Sequence, residues 1–509
     1  MSTSILGKDA RSALFATAFS AIVATSFCFV LRALVVDDWG REFSLSATQK
    51  GELLGAGLWP FAITIILISL VIDRIGIRIT FWFAGLCHIV GLLLLLGAHG
   101  YWMLYAGTFI MALGNGSVEA AANPLVATVF AHDRISWLNR LHAAWPAGLI
   151  LGGLLAIALG PDTSWRIKIS LTAAPMLLYL VLSVRQRFPI SERVASGFTF
   201  REMLSEAGFG GILIVSLLIG LEIGRLLGAS VVQIVVVAGL ITALYAFYVR
   251  SIGRPLFLIM MLLMIPLAIT ELSTDSWISS LLEPEMHRLG LQAGWVLVYM
   301  SVIVFGLRLV AGRLIHLLSP FGLLALGSLA AALGIYLFSF SAGAAILVAA
   351  TIYAVGKSFF WATSLGVAAE QFPKGGALTL NVLAGSGMLA AGIVGSVFLG
   401  MLQDSRTSEL IANTDLRQGT QLESRYLTAP RNTPVGAFRG IDEQKLATAS
   451  ASDRALVASV TADAKKQALR DVAILPVLMA LSYFLLMLHF RRRGGAKPAR
   501  EPVAAGEQA

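Results

Sequence analysis

Long apolar runs recur along almost the whole chain, and they restrict the possible folds more than any other feature. A run of about 20 residues crosses a hydrocarbon core of about 30 Å as an α-helix, whereas strands of a membrane barrel would show short alternating segments. Only 13% of the residues are charged, against about 25% in a soluble domain. We therefore predict an all-α polytopic membrane protein with about fourteen transmembrane helices. The predicted spans are residues 11–36, 51–72, 78–98, 102–129, 139–160, 165–184, 207–228, 230–250, 256–282, 291–316, 320–341, 343–369, 376–402 and 472–490.

The first apolar run is interpreted as a retained helix and not as a cleaved signal peptide. Residues 13–36 are too many for a signal-peptide core, and Asp37, Asp38 and Trp39 follow instead of small residues. The two cysteines, Cys28 and Cys87, both lie in apolar runs. A disulfide framework is therefore not expected.

The net charge of +9 is explained by membrane topology. With the N-terminus in the cytoplasm, basic residues concentrate in the cytoplasmic segments, as the positive-inside rule requires. We expect both termini in the cytoplasm, a bacterial-type inner membrane, and no nucleic-acid partner. The cytoplasmic basic residues are Lys8, Arg11, Arg74, Arg78, Arg134, Arg140, Arg185, Arg187, Arg193, Arg201, Arg250, Arg254, Arg313, Lys374, Arg491, Arg492 and Arg493.

A weak internal repeat divides the chain into two halves. Asp38-Trp39 and Ser276-Trp277 are each preceded by an aspartate and followed by a Gln-x-Gly triplet that opens the next helix. Transporters built from such repeats bind their substrate at the midplane between the halves. The predicted segments are a six-helix half (1–184), a cytoplasmic linker (185–206), an inserted helix pair (207–250), five helices of the second half (251–402), an extracytoplasmic insert (403–471), the last helix (472–490) and a cytoplasmic tail (491–509).

The loop after the second helix resembles the signature of the major facilitator superfamily. It reads Ser-Leu-Val-Ile-Asp-Arg-Ile-Gly-Ile-Arg at residues 69–78, with serine at the usual leading glycine. By this resemblance, Asp73, Arg74 and Arg78 form a charge cluster that holds one end of the carrier shut. Arg140 and Arg313, at the cytoplasmic ends of other helices, are further gating candidates.

The fourth helix is similar to that of fucose/proton symporters. Residues 114–124 read Gly-Asn-Gly-Ser-Val-Glu-Ala-Ala-Ala-Asn-Pro, and Leu138-Asn139-Arg140, Gly312-Arg313-Leu314 and Ser364-Leu365-Gly366 also resemble that branch. The resemblance implies sugar uptake by proton symport through alternating access. Those symporters carry an Asn-Asp pair in the first helix, whereas this chain has Arg32-Ala33. Because a cation replaces the expected acid, an organic anion such as a sugar acid stays an alternative substrate.

Ionisable residues inside the predicted helices are the main site candidates. Each costs at least about 2.5 kcal/mol in hydrocarbon, so it is expected to be paired or functional. Burial favours the neutral form of Glu119, so this carboxylate could bind and release the coupling proton, with Asn123 on the same helix face. Arg32 could contact substrate or pair with Asp37.

The second half offers a further group of charged candidates. Glu271 and Asp275 share one helix face and need a cation or a proton between them. Arg32 and Lys357 are the candidate cations, and Asp275 is expected nearer the surface. Trp361, one turn after Lys357, and Trp145 could stack on a sugar ring, and Asn139 completes the candidate set.

Other function classes find little support in the sequence. The chain contains no His-Glu-x-x-His, no Gly-x-Ser-x-Gly elbow and no complete phosphate loop, so an enzyme is not expected. No metal or organic cofactor is implied. A membrane sensor that binds a partner through residues 403–471 without transporting is the alternative from another class.

Overall fold

The computed structural model describes residues 7–130, 134–189, 199–433 and 436–492. These residues form a bundle of α-helices. Residues 8–184 make up the first part of this bundle. We call this part the first half. It contains α1 (Lys8–Phe43), α2 (Ala47–Gly55), α3 (Trp59–Ile75), α4 (Ile77–Leu96), α5 (Tyr101–Val129), α6 (Arg134–His142), α7 (Ala144–Ala158), α8 (Trp165–Ser170) and α9 (Ala173–Val184).

Two helices, which we call the central pair, come next along the chain, and we call the transmembrane helices after them the second half. The central pair consists of α10 (Phe200–Leu227) and α11 (Val231–Val249). The second half contains α12 (Pro255–Ala268), a π-helical turn (Ile269–Ser273), α13 (Thr274–Arg288), α14 (Gly294–Leu318), α15 (Pro320–Phe338), α16 (Ala345–Lys357), α17 (Phe360–Gln371), a 3₁₀ turn (Pro373–Gly375), α18 (Gly376–Leu389), a second π-helical turn (Ala390–Gly395), α19 (Ser396–Gln418) and the final α23 (Ile474–Arg492).

Twelve helical segments of the described residues are long and apolar enough to cross a membrane. The chain is therefore a multi-pass membrane protein. Two more long helices, α5 with 29 residues and α14 with 25, are not among these twelve segments. Polar residues such as Asn115, Glu119 and Asn123 lower the mean hydropathy of α5, although the helix is longer than α4, which has 20 residues.

The central pair begins earlier than the sequence pattern indicates. Helix α10 starts at Phe200, inside the segment predicted as a linker, because Thr199 and Glu202 form a capping box there. Its axis breaks at Gly208, whose φ is +59°. Gly208 lies so close to Gly253 that an added methyl group would come within 2.0 Å of the Gly253 nitrogen.

The described residues between 403 and 471 form a small folded unit at one end of the helical bundle, and we call this end the insert side. The unit comprises the end of α19, α20 (Leu422–Tyr426), the antiparallel strands β1 (Arg431–Thr433) and β2 (Gly436–Phe438), α21 (Glu443–Ala447) and α22 (Ala451–Val472). It has an apolar core of its own, built from Ile411, Leu422, Tyr426, Leu427, Val457 and Val460. Within the unit, β1 and β2 pair in antiparallel register, and α22 is a helix of 22 residues.

The first half contacts the second half closely on the insert side. A methyl group on Gly51 of α2 would lie 2.5 Å from the Ser396 carbonyl oxygen, and one on Gly55 would lie 2.0 Å from that of Gly392. The Thr48 nitrogen and Oγ1 donate to Asp404 Oδ2 at 3.0 and 2.5 Å. Small residues therefore let α2 and α19 touch along their backbones.

Candidate functional site

Arg32 is a deeply buried cation about two thirds of the way along α1. Its side chain is only 3% exposed, and its Nε has no hydrogen-bond acceptor. The predicted pairing with Asp37 is wrong, because Asp37 Oδ1 instead accepts from Lys50 Nζ at 2.7 Å and from Ser280 Oγ at 3.1 Å. Within the part of the chain that the structure describes, Arg32 has no carboxylate partner.

The Arg32 guanidinium packs directly on the backbone of Gly57, in the break between α2 and α3. The chain turns there through bonds from the Gly57 nitrogen to the Leu54 oxygen, at 3.2 Å, and from the Leu58 nitrogen to the Gly55 oxygen, at 2.8 Å. A methyl group on Gly57 would lie 2.0 Å from Arg32 Cζ and Nη1. Only glycine leaves room for the guanidinium in this position.

The ring of Phe29 lies beside this arginine, and the ring of Trp145 packs against Phe29. The Arg32 Cζ is 5.8 Å from the ring centre of Phe29, one turn earlier on α1. The centre of the Trp145 ring on α7 lies 5.5 Å from that of Phe29. Arg32, Phe29 and Trp145 therefore form a cationic and aromatic cluster between α1 and α7. Trp361, by contrast, packs in the second half, where a methyl group on Gly387 would lie 3.2 Å from its ring.

Glu119 is the buried carboxylate of the first half. It is 6% exposed, and Asn123 Nδ2 donates to its Oε2 at 2.8 Å. The shared helix face predicted for the two residues accounts for this bond, since they are four residues apart. Glu119 has no cationic partner among the described residues, and Asn123 Oδ1 has no donor.

Glu271 in the second half is paired with an arginine that the sequence analysis overlooked. Arg308 Nη2 lies 3.3 Å from Glu271 Oε1. The same guanidinium donates to the carbonyl oxygens of Ser358 and His142, each at 3.2 Å. His142 belongs to the first half, so Arg308 joins the two halves. An arginine inside the apolar run 291–316, five residues before Arg313, was the available signal for this residue.

Asp275 forms a separate ion pair with Lys357, and both side chains are buried. The expectation that Asp275 lies near the surface is wrong, because it is 4% exposed. The ring beside Lys357 is that of Tyr353, whose centre is 4.9 Å from Nζ. Of the two candidate cations, Lys357 is therefore the partner of Asp275, whereas Arg32 pairs with neither carboxylate and Glu271 has Arg308 instead.

These contacts divide the charged site candidates Arg32, Glu119, Glu271, Asp275 and Lys357 into two groups. Glu271 and Asp275 are neutralised by Arg308 and Lys357, within the second half. Arg32 and Glu119 remain without an oppositely charged partner among the described side chains. Because an isolated charge in a low-dielectric interior is costly, such groups point to a ligand or to a proton.

Three of the gating candidates have side chains that the structure describes. Arg74, Arg78 and Arg140 are exposed. Arg78 donates to the Gln186 carbonyl oxygen, and the Arg140 guanidinium lies 4.7 Å from the ring centre of Trp137. The side chains of Asp73, Asn139 and Arg313 lie outside the described residues, so their predicted roles stay predictions.

Comparisons with known proteins define what the chain is similar to. The gentisate transporter of Corynebacterium glutamicum is 22% identical over 198 residues, or 38% of this chain and 44% of the relative. The cis,cis-muconate transport protein of Acinetobacter baylyi is 28% identical over 183 residues, or 35% and 43%. These matches thus span less than half the length of the curated relatives.

The fold is also found in solved transporter structures. A bacterial homologue of the human lysosomal transporter Spinster, inward-facing and unoccupied, superposes with a TM-score of 0.67 at 16% identity, covering 97% of this chain and all of the homologue. A D-xylose-proton symporter gives a TM-score of 0.57 at 16% identity, covering 79% and 91%. The family model described as Major Facilitator Superfamily matches residues 13–396. The predicted family is thereby confirmed, and the chain belongs to the Major Facilitator Superfamily.

Proposed function

We propose that this protein is a secondary transporter that carries a small organic acid together with a proton by alternating access. The observation that carries the proposal is Arg32, a buried guanidinium for which the described part of the chain supplies no carboxylate. Burying such a charge costs several kcal/mol unless a partner compensates it. A substrate carboxylate would be that partner, because a planar guanidinium binds carboxylates through two parallel hydrogen bonds.

The surroundings of Arg32 suit an acid with an apolar or aromatic body. Phe29 lies next to the guanidinium and Trp145 packs against Phe29, so an aromatic body could stack in this region once the substrate carboxylate is bound. The names of two relatives, a gentisate transporter and a cis,cis-muconate transport protein, are those of carriers for organic acids. This supports the anion alternative over the sugar that the fucose-symporter resemblance implies.

Glu119 is our candidate for the coupling proton. Its carboxylate has an amide donor but no cation among the described residues, so losing a proton at this site leaves an uncompensated charge. If one orientation of the carrier favours the protonated form, proton binding and substrate binding become linked. Arg308, which joins Glu271 to the first-half His142, is positioned to respond when the halves move.

We further propose fourteen spans, with α10 and α11 inserted between two six-helix halves. Adding α5 and α14 to the twelve apolar segments gives this number. An even number places both chain ends on the same side, and the basic residues favour the cytoplasm for that side. Arg74, Arg78 and Arg140, with Asp73 and Arg313, would then act at the cytoplasmic entrance.

Uptake into proteoliposomes tests the proposed function. Labelled gentisate, muconate, a hexuronic acid and a hexose are compared with and without an inward proton gradient. We expect accumulation of an organic acid that depends on the gradient. Accumulation of the hexose alone would refute the anion proposal and support the sugar symporter, whereas binding of an acid without transport would support the sensor.

Two substitutions assign the roles of the unpaired charges. Arg32→Gln is expected to abolish acid uptake, because the carboxylate loses its cation, whereas Arg41→Gln on the same helix is the control. Arg41 is exposed and pairs with Asp38. Glu119→Gln is expected to preserve exchange of acid across the membrane but to abolish gradient-driven accumulation. Unchanged accumulation in the Glu119→Gln variant would remove this residue from the coupling mechanism.

A further inference from the structure

Helix α10 packs on the second half along most of its length. The Phe209 and Gly210 nitrogens donate to the carbonyl oxygens of Ser251 and Ile252, at 2.8 and 3.0 Å, just before α12 begins. The helix also packs against α12 and α18. Nearer its middle, a methyl group on Gly211 would touch Met261 Sδ at 3.3 Å. We therefore expect α10 to move together with the second half.

The insert-side end of α10 forms polar contacts with the first half instead. Arg225 Nη1 donates to Glu52 Oε1 of α2 at 3.0 Å. The Tyr105 hydroxyl of α5 donates to Glu222 Oε1 at 2.5 Å, and Arg225 itself is bonded to Glu222 at 2.7 and 2.9 Å. The Tyr101 hydroxyl donates to Glu52 Oε2 at 2.5 Å and fixes the acceptor carboxylate. Two elements of the first half thus hold one end of α10.

This polar group is more shielded from solvent than an ordinary surface ion pair. The side chains of Arg225 and Glu52 are 14% and 11% exposed, and that of Glu222 is 4% exposed. Exposed pairs contribute little because water and salt screen them. Shielded, charge-assisted bonds with fixed geometry are stronger. The contacts are therefore strong enough to bias the relative position of the two halves.

We propose that the insert-side end of α10 is a clamp that keeps the two halves together on the insert side. Opening that side requires α2 to leave α19, since their backbones touch at Gly51 and Gly55. Moving α2 and α5 away from the second half also breaks the bonds from Glu52 to Arg225 and from Tyr105 to Glu222. The central pair thereby adds a conformational restraint, whatever solute the protein carries.

A cysteine in the closed insert-side contact tests the clamp. Ala47 of α2 is 7% exposed and lies where α19 approaches, since a methyl group on Gly400 would come within 2.7 Å of its carbonyl oxygen. The rate at which a membrane-impermeant maleimide labels Ala47→Cys reports opening. The labelling of the chain without this substitution is subtracted, because Cys28 and Cys87 are natural. We expect Glu52→Gln and Tyr105→Phe each to increase the rate roughly fivefold or more, the lower range of coupling between protein sites.

Glu42→Gln is the matched control. Glu42 pairs with Arg166 at 3.0 Å, and both residues belong to the first half, so breaking this pair should not change the labelling rate. The proposal is overturned if Ala47→Cys is labelled at the same rate in the Glu52→Gln and Tyr105→Phe backgrounds as in the protein with the clamp intact. An equal increase in the control would also overturn it, because general loosening would then explain the effect. Tyr105→Phe keeps every charge, so it tests the clamp even if Glu52→Gln folds poorly.

Discussion

Replacing Gly57 by alanine would test the anion site through geometry alone. The added methyl group would lie 2.0 Å from both Cζ and Nη1 of Arg32 and 2.3 Å from Nη2. Ordinary contact between such atoms needs about 3.4 Å or more, so the guanidinium must move by more than about 1 Å. A hydrogen bond is about 3 Å long, so a shift of this size breaks the bonds that the guanidinium would form with a carboxylate. Gly57 does not have a positive φ, so alanine is compatible with the backbone and only the position of Arg32 is affected.

The expected effect follows from the bonds that the displaced guanidinium can no longer form. A hydrogen bond to a charged group contributes about 1.5–3 kcal/mol. Since about 1.4 kcal/mol corresponds to a factor of ten, the apparent KM for the transported acid should rise roughly 10- to 150-fold in Gly57→Ala. The maximal rate should change less, because the proton site at Glu119 is unaltered.

Concentration-dependent uptake of the acid into proteoliposomes measures this effect. Gly239→Ala is the control, because a methyl group on Gly239 of α11 meets no atom within 4 Å. Both proteins should be monodisperse in detergent and reconstitute equally. A KM for Gly57→Ala within twofold of the control would refute the reasoning that Arg32, held against Gly57, binds the substrate carboxylate.

Two further predictions concern stability. Lys357→Met should lower the free energy of unfolding by roughly 3–5 kcal/mol, because it leaves buried Asp275 without its cation. In thermal melts, the double variant Lys357→Met with Asp275→Leu should recover much of this loss. If the double variant recovers nothing, the pairing is contradicted. Leu422→Ala should destabilise the insert by roughly 2–5 kcal/mol, because Leu422 is fully buried in that unit's own core. Limited proteolysis should then cleave residues 403–471 faster while the transmembrane helices stay intact, and general degradation would show that the unit does not fold around a separate core.

Several properties of the fold could be predicted from the sequence because they are local. Whether a segment crosses a membrane depends on its own length and apolarity, so the helices appeared in the expected places. The mistakes arose at helix ends, as at Phe200, where one capping box extends a helix that hydropathy alone starts later. The superfamily could be recognised from residues 69–78, which are one contiguous segment.

The contact between Glu119 and Asn123 was also accessible, since both lie on one helix at a fixed spacing. The partners of the remaining buried charges were not. Asp37 binds Lys50 and Ser280 instead of Arg32, and Glu271 binds Arg308. The sequence places each of these groups on a helix and gives its approximate depth, but not the rotation of that helix against its neighbours.

The sequence by itself thus determined that this chain spans the membrane many times, to which superfamily it belongs, and which buried residues carry charge. Only the tertiary structure decided which of those charges neutralise each other and that Arg32 is left against Gly57 without a carboxylate among the described residues. The physical reason is that hydropathy sums over one segment, whereas an ion pair needs two side chains from different helices within about 4 Å. That distance is set by how the helices pack against one another.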